Sequence, residues 1–113
     1  DQIDVLSGDD FITFPMMACG AKGVISVLAN IMPKAVASLV DAFYSGDLEK
    51  ARQLHLHTLK IGNAMFIESN PIPVKTALGL MGKCSDEVRL PLCPMGVANK
   101  EKLVAIMKEY KLI

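Results

Sequence analysis

Two short segments bring together residue types that could do chemistry. Ser7-Gly8-Asp9-Asp10 joins a glycine to two adjacent carboxylates, and Ser26-Val27-Leu28-Ala29-Asn30 offers a hydroxyl and an amide. A glycine lets a ligand approach the backbone closely, and carboxylates can orient donors or bind an amino group. Adjacent acids that open a helix point different ways, so Asp9 and Asp10 do not make a metal pair. Plain helix capping suits them equally well. Ser7 and Ser26 have no histidine in a triad context, which argues against a serine hydrolase. Gly20-Ala21-Lys22-Gly23 lacks the spacing of a phosphate loop.

A lysine nucleophile needs a buried setting, at or near a strand end, that lowers its pKa. Lys22 precedes its strand, Lys83 lies just past a helix end, and most of the others fall on helix surfaces or termini. Lys75 alone has an unusual setting, at a helix start behind Pro71 and Pro73, and a structural role is expected for all three. No catalytic residue is therefore assigned in this chain. No metal is expected either. Cys19, Cys84 and Cys93 are widely spaced, and His55 and His57, two apart on a helix, face different directions.

These segments need elements to position them. Residues 3–7 read as a short strand ending at Gly8, and residues 23–28 as a second, β-branched strand buried on both faces of a parallel sheet. Ile12, Met16, Met17 and Ala18 mark a helix between them that ends at Gly20. Val36, Leu39, Val40 and Phe43 mark another, stopping near Ser45-Gly46. Asp47 caps a long helix carrying Ala51, Leu54, Thr58, Ile61 and Met65. After the Asn70-Pro71-Ile72-Pro73 break come a helix ending at Gly82 and, past a loop at 89–94, a last one over about 99–110. Two adjacent strands cannot cover their own faces or edges. The α/β order therefore suggests the C-terminal part of a (β/α)₈ TIM barrel, strands seven and eight, followed by a small helical domain. The boundary expected is 1–45 for the last two strand–helix units and 46–113 for the helical domain. The alternative is a self-contained, mostly helical domain, which would leave Val24-Ile25-Ser26-Val27 poorly protected.

Composition narrows the function classes. The 113 residues are 51% hydrophobic, and 12 Lys+Arg balance 12 Asp+Glu. That balance gives a nucleic-acid partner no support, and no apolar run is long enough to span a membrane. Three thiols, an odd number, point to reduced cysteines and a cytoplasmic protein. The first residue is Asp, and the basic and apolar regions of a signal peptide are lacking at this end.

The motifs VLSGDD at 5–10, GAKGVISVLAN at 20–30, FIESNPIPVK at 66–75 and RLPLCP at 89–94 together resemble the C-terminal part of the bacterial dihydrodipicolinate synthase family. The similarity covers the whole chain in order, including GDLEKAR at 46–52. The related N-acetylneuraminate lyases usually lack both GDD and NPIPVK in this form. The resemblance implies a barrel with a C-terminal helical domain and a homotetramer built as a dimer of dimers. It also implies an aldol-condensing lyase of lysine (diaminopimelate) biosynthesis that joins pyruvate, bound as a Schiff base, to aspartate semialdehyde, with no cofactor. The alternatives are another pyruvate-dependent aldolase or lyase, and a non-catalytic, independently folding fragment.

The same resemblance implies site roles. Gly8, Asp9, Asp10, Ile25 (through its backbone carbonyl) and Asn70 border the substrate cavity, and Pro71 and Pro73 fix the crossing into the helical domain. Met16 and Cys19 fall at a contact between subunits. The Schiff-base lysine, the catalytic tyrosines and threonine and the recognition arginine belong to motifs outside this chain. Tyr44, Tyr110, Arg52 and Arg89 do not match those motifs. The implied partner is the N-terminal portion of the same enzyme, covalently joined or separate, and this chain alone is expected to be inactive.

Overall fold

The computed structural model describes residues 3–113. The described residues form α-helices and short 3₁₀ turns, with no β-strand among them. The helices are α1 (Thr13–Ala18), α2 (Pro33–Tyr44), α3 (Leu48–Ala64), α4 (Ile72–Leu80) and α5 (Val97–Glu109), with 3₁₀ turns at Asp10–Ile12 and Leu28–Asn30. The chain divides into two compact units, Asp1–Gly62 and Asn63–Ile113.

The two strands expected over 3–7 and 23–28 do not form, and with them the TIM-barrel reading is overturned. The two segments meet in a single parallel bridge, Ser7 with Val24. Its hydrogen bonds run from Ser7 N–H to the Gly23 carbonyl at 2.8 Å, from Ile25 N–H to the Ser7 carbonyl at 2.8 Å and from Lys22 N–H to the Val5 carbonyl at 2.7 Å. The physical reason is cooperative. β-branched residues favour an extended backbone, but a strand exists only where successive residues pair with a neighbour, and an isolated pair is marginal. Burial on both faces fails too, since the Ile25 side chain is 68% exposed. The poor protection foreseen for a mostly helical chain is what Ile25 displays.

The helices follow their sequence signals closely. Pro33 opens α2 in its first turn, where a missing N–H costs nothing. Asp47 caps α3, its Oδ1 accepting the Lys50 N–H at 3.1 Å. Helices α2 and α4 end alike. Gly46 (φ 82°) and Gly82 (φ 68°) take the left-handed conformation, and the next residue's N–H reaches back to Ala42 at 2.9 Å and to Leu78 at 2.9 Å. Helix α5 ends the same way on Lys111 (φ 55°), where a side chain bears the steric cost that glycine avoids. Sequence had placed the start of α5 near Asn99; it begins at Val97.

In the first unit, Met17, Leu28, Ile31, Leu39, Ala42, Ala51 and Ile61 are buried. Phe14 of α1 meets Phe43 of α2 edge-on at 5.9 Å and stacks on His55 of α3 at 5.7 Å. In the second unit α4 packs on α5, and Ile72, Pro73, Val74, Ala77, Met95, Leu103 and Met107 are buried. The NPIP break becomes the entry to α4, with the Asn70–Pro71 peptide cis and Pro73 in the first helical turn.

Candidate functional site

The Ser7–Val24 bridge sets the Gly8-Asp9-Asp10 turn beside the Ile25–Leu28 segment, so four sequence-predicted residues of the first unit come together. Ser7 is fully buried. Its hydroxyl donates to the Asp9 carbonyl at 2.7 Å and accepts the Asp9 N–H at 3.2 Å, and Thr13 Oγ1 donates to the same carbonyl at 3.0 Å. These bonds shape the turn through the Asp9 backbone and leave the Asp9 carboxylate out of it. A Cβ placed on Gly8 would meet nothing within 4 Å, so the described residues leave open space there.

Asp10 is built differently. Its Oδ1 accepts the Ser26 hydroxyl, and its Oδ2 accepts Val27 N–H at 3.0 Å and Leu28 N–H at 2.9 Å. Ser26 Oγ in turn accepts Ala29 N–H at 2.8 Å. Together the carboxylate and the hydroxyl satisfy the free N–H groups that open the Leu28–Asn30 turn, the work of an N-cap done from a distant segment. Sequence reasoning placed Ser26 in a segment where chemistry could lie and judged it an improbable nucleophile, without reading it as a cap. A local signal existed, a serine three residues ahead of the amide it caps, but nothing local pairs residue 10 with residue 26.

The remaining predicted residues belong to other segments of the chain. Asn70 is in the second unit and exposed. Lys75 sits in the first turns of α4, its N–H donating to the Pro71 carbonyl at 3.0 Å, on an open cleft of about 800 Å³ shared with Pro71, Ser85, Arg89 and Leu92. Met16 and Cys19 line a shallow, mostly apolar groove of the first unit with Val5, Ile12, Pro15 and Ala21. Among the described residues no group of three His, Cys, Asp or Glu side chains could hold a metal ion. Among the described residues no helix is long and apolar enough to cross a membrane.

His55 is the buried titratable group sequence reasoning left undecided. Its Nδ1 is buried without a hydrogen-bond partner among the described residues, and burial pulls the imidazole pKa below its ordinary value. His57, two residues on, is exposed, so the two do face different directions. In the second unit Glu68 is the residue whose role went unread. Its Oε1 accepts the Gly96 N–H at 3.0 Å and Asn99 Nδ2–H at 2.9 Å at the start of α5.

A model of the dihydrodipicolinate synthetase family matches residues 1–110. The chain belongs to this family. A 4-hydroxy-tetrahydrodipicolinate synthase of Geobacter metallireducens is 90% identical over the whole chain, and one of Geobacter sulfurreducens is 88% identical. The chain spans 39% of the length of each of these curated relatives. Among solved structures, dihydrodipicolinate synthase from Aquifex aeolicus is similar with a TM-score of 0.96 and 49% identity, covering 99% of this chain and 38% of that one. A monomeric dihydrodipicolinate synthase variant is similar with a TM-score of 0.94 and 43% identity, covering 98% and 37%. The family read from VLSGDD, GAKGVISVLAN and FIESNPIPVK is thus the right one.

Proposed function

We propose that this chain is the C-terminal portion of a lyase that condenses pyruvate with aspartate semialdehyde to give 4-hydroxy-tetrahydrodipicolinate. The observation that carries the reading is the 86–90% identity, along all 113 residues, to three proteins named 4-hydroxy-tetrahydrodipicolinate synthase. In this chemistry a lysine amine adds to the pyruvate ketone and expels water to form an imine. Loss of a methyl proton gives an enamine, whose carbon attacks the aldehyde, and the substrate amine then displaces the lysine as the ring closes. The lysine lies outside this chain, so the chain by itself is inactive and its partner is the rest of the same polypeptide.

Its contribution is one wall of the cavity. Gly8, Asp9, Asp10 and Ile25 border the substrates, while Pro71, Pro73 and Lys75 hold the local fold. Met16 and Cys19 belong to a contact between subunits of a cytoplasmic homotetramer. The apolar groove they line supports that role, because such a surface gains from being covered.

The test is borohydride trapping of the full-length protein with pyruvate, followed by peptide mapping. The expected product is one reduced pyruvate adduct on a lysine outside these 113 residues, together with condensation activity. A reproducible adduct on Lys75 or any other lysine of this chain would sink the reading, as would a full-length protein without condensation activity.

A further inference from the structure

We infer that Asp10 is a positioning residue, whose carboxylate clamps the Ser26–Leu28 turn and so aims the Ile25 peptide, while Asp9 is the acid left free to face a substrate. The inference rests on the function proposed above and divides two neighbours that sequence treated alike.

Three donors converge on Asp10: the Ser26 hydroxyl on Oδ1, and the Val27 and Leu28 N–H groups on Oδ2 at 3.0 and 2.9 Å. A carboxylate offers about four lone-pair sites, so little acceptor capacity remains for a ligand. The same short segment grips the second one twice. Ser7 accepts the Ile25 N–H at 2.8 Å on one side of the Ile25 residue, and Asp10 holds Ser26 to Leu28 on the other. Between those grips lies the Ile25 carbonyl, to which no backbone N–H in the described loops donates. Behind the clamp, Leu28 is 1% exposed, and α3 closes over it at Gly62, where an added Cβ would stand 3.8 Å from the Asp10 Cβ. None of the hydrogen bonds that hold this turn uses the Asp9 carboxylate.

The experiment compares Asp10→Ala, Asp10→Asn, Ser26→Ala and Asp9→Asn in the full-length protein, by steady-state kinetics for both substrates and by the rate of pyruvate trapping. Asparagine can keep the clamp, its Oδ1 accepting the two N–H groups and its amide donating to Ser26 Oγ. A misplacement of about 1 Å at a reacting centre costs up to about 100-fold. Asp10→Ala should therefore raise the pyruvate KM and slow trapping by about tenfold or more, with Ser26→Ala in between. Asp10→Asn should recover most of the trapping rate that Asp10→Ala loses, because it keeps the acceptor, and Asp9→Asn should raise the aldehyde KM instead.

An Asp10→Asn variant that traps pyruvate as slowly as Asp10→Ala, or that loses aldehyde affinity, would overturn the inference, because a clamp needs only the acceptor whereas a substrate contact needs the charge. So would normal pyruvate kinetics in Ser26→Ala, which applies even if Asp10→Ala fails to fold. If the parent protein neither traps pyruvate nor condenses it, the proposed function fails. Hydrogen exchange at Val27 and Leu28 in Asp10→Asn and Ser26→Ala then decides the clamp alone: faster exchange in Ser26→Ala only supports it, and unchanged exchange in both refutes it.

Discussion

The N-cap of helix α5 is Gly96, which has no side chain with which to cap it. The cap comes from Glu68, 28 residues earlier, whose Oε1 accepts both the Gly96 N–H and the Asn99 side-chain amide. Hydrogen bonds to a charged acceptor are worth about 1.5–3 kcal/mol where shielded, and loss of an N-cap costs about 0.5–2 kcal/mol. Glu68 is half-buried, so Glu68→Ala should weaken the start of α5 by about 1.5–2 kcal/mol. Glu68→Gln keeps the acceptor without the charge and should lose about half as much. The assay is native-state amide hydrogen exchange of the full-length protein, read at Gly96 and at Lys100, whose N–H makes the first helical bond to the Gly96 carbonyl at 2.9 Å. The alanine variant should exchange about 10- to 30-fold faster at these positions, with Met107 near the other end of the helix changed less than about twofold. Unchanged exchange at Lys100, or a glutamine variant as weak as the alanine, would refute the reasoning.

Three further outcomes are expected. His55 holds its imidazole pKa below the ordinary value of 6.5 because it is buried, so the unfolded chain takes the proton first as pH falls. Stability should then be full above about pH 6.5, decline as pH drops below it and flatten below the folded-state pKa; His55→Phe should shallow that acid decline in melting curves. Gly79→Ala sets a Cβ 2.9 Å from the Asp86 Cβ, and the clash, about 1–3 kcal/mol, should outweigh the gain of about 1 kcal/mol in helix propensity. Adding Asp86→Gly should restore most of the loss in equilibrium unfolding, whereas equal stability of the single and double variants would remove the clash as its cause. Lys111→Gly should raise stability by about 0.5–1 kcal/mol, since a side chain in the left-handed conformation costs more than the extra freedom glycine gives the unfolded chain. A lower melting temperature would contradict that.

Local signals carried the helices. Asp47, Gly46, Gly82 and the apolar positions of α2, α3 and α5 act within a few residues of one another, and the helices form where those signals stand. Distant pairing did not follow from them. The run at 23–28 has the composition of a buried strand, yet forms one bridge, because its ladder depends on neighbours and not on its own side chains. Gly8, Asp9, Asp10 and Ile25 could be named from motif resemblance, and the structure does set them side by side. That Asp10 spends its carboxylate on Ser26, Val27 and Leu28 lay beyond any local pattern.

What the sequence determined by itself is the family and the placement of five helices, since motif order and capping are written in neighbouring residues. The tertiary structure decided which polar groups are already spent: Asp10 on a turn, Glu68 on the start of α5, and His55 shut away with its Nδ1 unpartnered. The reason is geometric. A hydrogen bond needs its partners within about 3 Å, and for residues 10 and 26, or 68 and 96, only folding brings them that close.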